Sequence, residues 1–279
     1  MNAATRALRA GAPIGVFDSG MGGLTVLTEL RRELPHERFV YLGDTARLPY
    51  GTKSASTIVR YALQAAELLV ERGVGTLVVA CNTASSVALP ALRERFDAID
   101  IIGVIEPGAA AACTQTRNRH VAVIATEGTV RGGAYERAIH ATLPDAQVVS
   151  LACQLFVALA EEGWVDGAVA EAAVHRYLDP WLASMPVQPD VLVLGCTHFP
   201  VLARAIAAVA GPGIRLVDSA RTTAAAVRVL AAREATLPTA GSQAGIEFLA
   251  TDGVERFARI GSRFLGATIT DSEVELVEF

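Results

Sequence analysis

Two cysteines stand where thiols could react. Leu77-Val78-Val79-Ala80-Cys81-Asn82-Thr83 is an apolar run that stops at a thiol and passes at once to two small hydrogen-bonding side chains. Val191-Leu192-Val193-Leu194-Gly195-Cys196-Thr197-His198 repeats the design near the end of the chain. Each reads as a buried strand with a cysteine at its carboxyl end and a helix after it, and in open α/β sheets ligands sit at the carboxyl ends of strands. Two such thiols, if they face each other, bracket one small ligand. A lone cysteine at a strand end is more often a small buried hydrophobe, and that is the reading for Cys113 and Cys153. Cys81 and Cys196 differ in the polar residues that follow them in both halves. The thiolate is the reactive form, and a helix N-terminus lowers a thiol from its usual pKa of about 8.5, so depressed values are expected at both. Cys196 and His198 could together ligate zinc, but structural zinc sites pair cysteines a few residues apart, and neither Cys81 nor Cys196 has such a partner. No metal is expected.

The elements that must position these thiols alternate along the chain. Pro13 to Phe17 reads as a strand, Asp18-Ser19-Gly20-Met21-Gly22-Gly23 as a tight turn, and Leu24, Leu27 and Leu30 recur at helical spacing. The glycines do not match a dinucleotide fingerprint, and Asp18 would repel a pyrophosphate. A second strand spans Arg38 to Gly43, and a loop from Arg47 to Ser54 leads to a helix near Ser56. The Cys81 strand, a helix to about Phe96 and a strand from Ile101 to Ile105 follow, the last ending at Glu106-Pro107-Gly108. The pattern then restarts. Val121 to Ala125 is a strand followed by the polar turn Thr126 to Gly133. Gln147 to Leu151, helices over Cys153 to Glu161 and Ala168 to Leu182, and the Cys196 strand come next. Arg215 to Asp218, a helix through Arg228, a strand from Ile246 to Ala250 and a helix from Val254 close the chain, with Ala235 to Ala244 as a surface loop. The repeated order implies an internal duplication. The expected fold is α/β, with two pseudo-symmetric domains, each a mainly parallel sheet flanked by helices, and an active site at the domain interface. Residues 1–106 with 219–279 would carry Cys81, and residues 107–218 Cys196.

Composition narrows the function. The chain has 279 residues, 52% of them hydrophobic, enough for two cores. Its net charge of -5 and lack of a Lys/Arg cluster argue against nucleic acid as a partner. Residues 1–13 hold no continuous apolar segment of a secretory leader, and no apolar stretch is long enough to span a bilayer, so no membrane association and a cytoplasmic location are expected. Four cysteines in such a chain do not form a disulfide framework. Lys53 is the sole lysine, which leaves pyridoxal phosphate one candidate anchor, in a loop.

Five motifs in order resemble a known family. Phe17-Asp18-Ser19-Gly20, Pro49-Tyr50-Gly51-Thr52-Lys53-Ser54, Ala80-Cys81-Asn82-Thr83-Ala84, Thr126-Glu127-Gly128-Thr129-Val130 and Leu194-Gly195-Cys196-Thr197-His198 are similar to those of the glutamate racemases, within the cofactor-independent aspartate/glutamate racemase superfamily. The resemblance implies that Cys81 and Cys196 are the catalytic thiols, that Asp18 assists the first, and that His198 with Glu161, or its neighbour Glu162, assists the second. It implies substrate contacts from Asp18, Ser19, Pro49, Tyr50, Gly51, Asn82, Thr83, Thr129, Thr197 and His198. It further implies glutamate as substrate, no cofactor, and supply of D-glutamate for peptidoglycan, with Cys81 removing the proton of D-glutamate and Cys196 that of L-glutamate. A homodimer is compatible with it. Two facing bases suit racemisation, because a proton must leave one face of the α-carbon and another arrive on the opposite face. Aspartate is the nearest rival substrate. A nucleotide-binding module, indifferent to both cysteines, and a hydrolase needing only Cys196 are the rivals from other classes.

Overall fold

The computed structural model describes residues 11–234 and 244–278. Ile14–Asp18 (β1), Arg38–Gly43 (β2), Thr76–Val79 (β3) and Asp100–Gly103 (β4) pair with Gly245–Ala250 (β9) and Val274–Leu276 (β10) in a sheet of order β10-β9-β2-β1-β3-β4. His120–Ala125 (β5), Gln147–Ala152 (β6), Val191–Gly195 (β7) and Arg215–Asp218 (β8) form a second sheet of order β6-β5-β7-β8. Every pairing is parallel. Continuous apolar runs such as β1 and β7, buried at every residue, are what a parallel sheet covered on both faces requires. The order β2-β1-β3-β4 recurs as β6-β5-β7-β8, so the duplication extends to topology. Cys81 follows β3 and Cys196 follows β7, equivalent strands of the two sheets.

Leu24–Glu33 (α1) buries Leu24, Leu27 and Leu30, as their spacing predicts. Ala55–Glu71 (α2) is capped by Ser54, whose hydroxyl accepts the Thr57 N–H. Several expectations change, among them the turn over Thr126 to Gly133, whose residues Glu127–Gly132 are helical, and the end of the chain, where the strand Val274–Leu276 follows the helix from Val254. The helix after Cys81 is two helices, Asn82–Val87 (α3) and Leu89–Arg95 (α4), with Pro90 in the opening turn of α4; proline cannot donate back to the preceding turn and breaks the run. The strand expected to reach Ile105 stops at Gly103, because Ile105–Gln115 (α5) is helical. Pro107 and Gly108 lie in its first turn, where a missing N–H has no helical partner to lose. Thus α5 runs through the expected 106/107 division and packs on Ala134–Thr142 (α7), β7 and β8.

The second sheet is flanked by Glu127–Gly132 (α6), Leu155–Glu162 (α8), Gly167–Ala183 (α9) and Ala203–Ala210 (α10). Ser219–Glu234 (α11) lies along α1, and Val254–Leu265 (α12) packs on α1 as well. The loop expected over Ala235 to Ala244 falls, except for Ala244, outside the described residues. One apolar cluster joins the α1 side of the first sheet to the second sheet and includes Cys196; another, on the opposite side of the first sheet, includes Cys81. Among the described residues no helix is long and apolar enough to cross a membrane.

Candidate active site

Cys81 N-caps α3: its Sγ accepts the Ala84 N–H at 3.4 Å and donates toward Ser19 Oγ at 3.5 Å. Asp18 ends β1, the strand paired with β3, and is fully buried. Its Oδ2 accepts the Gly20 N–H at 3.0 Å, and its Oδ1 is buried without a hydrogen-bond partner among the described residues. Burial holds the Asp18 carboxyl above its ordinary range, against the opposing charge of His198 and the N–H groups of Gly23, Gly20 and Ser19. The Cys81 thiol is pushed up to about 12, first by burial and then by the charge of Asp18, with the Ser19 and Ala84 contacts pulling the other way. This corrects the depressed value expected there. The helix-capping contact exists, but loss of solvent and a neighbouring carboxylate outweigh it.

Cys196 has different company. His198 Nδ1 lies 3.8 Å from its Sγ, His198 Nε2 lies 3.2 Å from Glu161 Oε1, and Glu161 Oε2 accepts from Arg256 Nη2 at 2.7 Å. Burial alone would push His198 down, but its hydrogen bonds with Cys196 and Glu161, then the charges of Cys196 and Asp18, carry it up to about 10. These partners favour the imidazolium form. Burial opposes ionisation of Glu161 too, yet His198 and Arg256 hold it below its ordinary value. Of the two adjacent glutamates, Glu161 reaches the histidine and Glu162 is exposed.

The other predicted residues are tied into the loops and helix starts of both sheets. Asn82 opens α3; its Oδ1 accepts the Tyr135 hydroxyl at 2.7 Å, while its Nδ2 is buried without a partner among the described residues. Thr83 Oγ1 lies 2.9 Å from Thr126 Oγ1 and 3.2 Å from Thr129 Oγ1, which are 3.1 Å apart, a hydroxyl triangle joining α3 to α6. Tyr50, buried, donates to Asp44 Oδ2 at 2.5 Å. The Gly51 carbonyl approaches Gly128 so closely that a Cβ there would lie 2.7 Å from it. The Thr197 carbonyl accepts Thr25 Oγ1 at 2.8 Å. Pro49, like Glu162, is exposed.

Sequence reasoning missed Tyr135, Arg256 and the role of Gly22. A Cβ at Gly22 would lie 2.4 Å from His198 Nδ1 and 2.5 Å from Thr197 Oγ1, so the glycine turn presses on the Cys196 loop. The separations in sequence, 53 residues from Tyr135 to Asn82 and 95 from Arg256 to Glu161, leave no local pattern to read. Among the described residues no group of three or more His, Cys, Asp or Glu side chains could hold a metal ion. Beside Cys81 stand an open buried acceptor, Asp18 Oδ1, and an open buried donor, Asn82 Nδ2. That pair complements an ammonium and a carboxylate.

Known proteins share this architecture. Residues 21–227 match the family model for Asp/Glu/Hydantoin racemase. A glutamate racemase of Geobacter metallireducens is 49% identical over 259 residues, 92% of this chain and 94% of that protein. The crystal structure of glutamate racemase isoform RacE1 from Bacillus anthracis aligns with a TM-score of 0.90 at 35% identity, covering 96% of this chain and 98% of that one. The enzyme of Francisella tularensis, solved in complex with D-glutamate, aligns with a TM-score of 0.88 at 36% identity and the same coverage. Likeness of this degree along nearly the whole length means that the chain belongs to the Asp/Glu/Hydantoin racemase family, among its glutamate racemases.

Proposed function

We propose that the chain interconverts L- and D-glutamate by moving protons between the α-carbon and two thiols, Cys81 and Cys196, one serving each face. The observation that carries this reading is the pair of buried thiols at equivalent strand ends of two duplicated sheets, each with its own carboxylate: Asp18 by Cys81, and Glu161 behind His198 by Cys196. The relative that holds D-glutamate supports the choice of substrate.

Asp18 Oδ1 accepts from the substrate ammonium, and Asn82 Nδ2 with the hydroxyl of Thr83 donates to the α-carboxylate. Donors aimed at that carboxylate stabilise the charge that develops as the α-proton leaves. From L-glutamate, the Cys196 thiolate takes the α-proton and the Cys81 thiol gives its own to the opposite face, leaving Cys196 as thiol and Cys81 as thiolate. The reverse reaction exchanges the roles. With its pKa near 12, Cys81 is a thiol at rest, already the acid for this direction. A substrate ammonium brought against Asp18 offsets the carboxylate charge that adds to burial in holding Cys81 up, which eases its turn as base. On the other side the His198 imidazolium faces the Cys196 sulfur, and Glu161 balances it.

The unit built on the first sheet brings Cys81, and the unit built on the second sheet, with α5 packed on it, brings Cys196. The product serves peptidoglycan synthesis in the cytoplasm. Circular dichroism of reactions started from either enantiomer tests the activity. Turnover of glutamate is expected, and Cys81→Ala and Cys196→Ala should each abolish it with the fold intact. Near-normal turnover by either variant overturns the two-thiol mechanism. Faster turnover of aspartate overturns the substrate, a distinction of one methylene worth about 1–3 kcal/mol in a pocket.

A further inference from the structure

The last α-helix among the described residues, α12, grips the Cys196 side of the site. Arg256 and Arg263 of α12 are seven residues apart, about two turns, and so share a face. Arg256 Nη2 donates to Glu161 Oε2 at 2.7 Å, and Arg263 Nη1 donates to the Glu161 main-chain carbonyl at 3.2 Å. Phe264 stands edge-on to His198, with ring centroids 5.1 Å apart. Gly163, which ends α8 at a φ of 78°, completes the contact: a Cβ there would lie 2.8 Å from Arg263 Nη1. A helix packed on α1 of the first sheet therefore holds the carboxylate and the imidazole that serve a thiol of the second.

The division of labour on Glu161 is specific. Arg256 takes Oε2, which leaves Oε1 for His198 Nε2 and turns Nδ1 toward the Cys196 sulfur. Guanidinium is suited to this, because its fixed fork orients a carboxylate rather than only balancing its charge. The charged groups against Glu161 are His198, from the loop after β7, and Arg256 and Arg263 on α12, Arg263 at the main-chain carbonyl, and the charge of Asp18 acts on His198. The geometry points to Arg256 as a positioning residue that sets the Glu161–His198–Cys196 relay, and hence the proton transfer at Cys196, without governing the one at Cys81. This rests on the two-thiol reading of the site.

The experiment must tell one face from the other. Enantiomers have equal free energies, so kcat/KM stays equal in the two directions whatever a substitution does. The face affected shows instead in the isotope effect on kcat/KM with glutamate deuterated at the α-carbon, which reports how far the first proton removal limits the rate. Removing Arg256 raises the Cys196 barrier. For Arg256→Met, kcat/KM should fall roughly threefold to tenfold, as befits a half-exposed ion pair. The isotope effect should rise with deuterated L-glutamate and fall with deuterated D-glutamate, and Arg256→Lys should recover most of both. In a Glu161→Gln background, Arg256→Met should add less than about a twofold change, since the two act in series. An unchanged rate, isotope effects that move together, or full additivity with Glu161→Gln overturns the proposal. Normal turnover by Cys196→Ala would instead remove the reading on which it rests, a separate measurement on a different residue.

Discussion

The two sulfurs are the same atom in opposite electrostatic settings, and a sequence cannot display that difference. The motif around each cysteine could be read from the residues, whereas Asp18 and His198 were marked by the family resemblance, and the choice of Glu161 over Glu162 needed the contact with His198. The elevation of Cys81 was not legible, because it comes from burial and from a carboxylate on a different strand. His198 permits a direct test. Its pKa is raised from an ordinary 6.5 to about 10, so folding takes up its proton more tightly than the unfolded chain does. The stability gained is fully present below pH 6.5 and is lost as pH rises through 10. The difference in Tm between the native chain and His198→Gln should therefore be largest in mildly acidic buffer and narrow steadily toward about pH 10. A difference that widened with rising pH would mean that the imidazole is neutral in the folded protein.

Strand–turn–helix units were the most readable elements, since their apolar runs, glycines and caps lie within a few residues of one another. Errors came where a local rule met a position that suspends it. Pro107-Gly108 reads as a breaker, but in the first turn of α5 a proline forfeits no hydrogen bond, and Gly108 gives Tyr135 its place: a Cβ there would sit 3.3 Å from the ring. The glycine turn after β1 was read as a tight connection, but Gly22 within it also lies against His198 and Thr197 of the loop after β7, while Gly23 lies against Asp18 and Tyr41 of its own sheet. Gly22→Ala should force His198 and Thr197 aside, lowering turnover at least tenfold, with about 1–3 kcal/mol of destabilisation from overpacking. Gly213→Ala is the control, for nothing lies within 4 Å of a Cβ at that position. Equal activity of the two variants would show that the turn can retreat without disturbing the Cys196 loop.

At the scale of the molecule, the duplication explains why two thiols stand at equivalent strand ends. Strand order β2-β1-β3-β4 places β1 beside β3, and β6-β5-β7-β8 places β5 beside β7, so each sheet offers its ligand-facing edge at the same pair of neighbours. Each pair ends in one thiol, and contacts such as Thr25 to Thr197 and Thr83 to Thr126 hold the two edges together. With the bases on separate sheets, a proton taken by one thiol is not the proton that the other returns. In D₂O the thiols of the free enzyme equilibrate with solvent, so the product enantiomer formed at early conversion should carry deuterium at the α-carbon while the remaining substrate stays protonated. This should hold from either starting enantiomer. Mass spectrometry of the separated enantiomers reads the label. A single base swinging between faces would return the abstracted proton to the product in part, or label recovered substrate and product comparably. A thiol that exchanged its proton before the carbanion collapsed could imitate that second pattern, and the cysteine variants resolve it. In Cys81→Ala any residual α-proton exchange should be confined to L-glutamate, facing Cys196, and in Cys196→Ala to D-glutamate. Exchange of both enantiomers by either variant would mean that one sulfur reaches both faces.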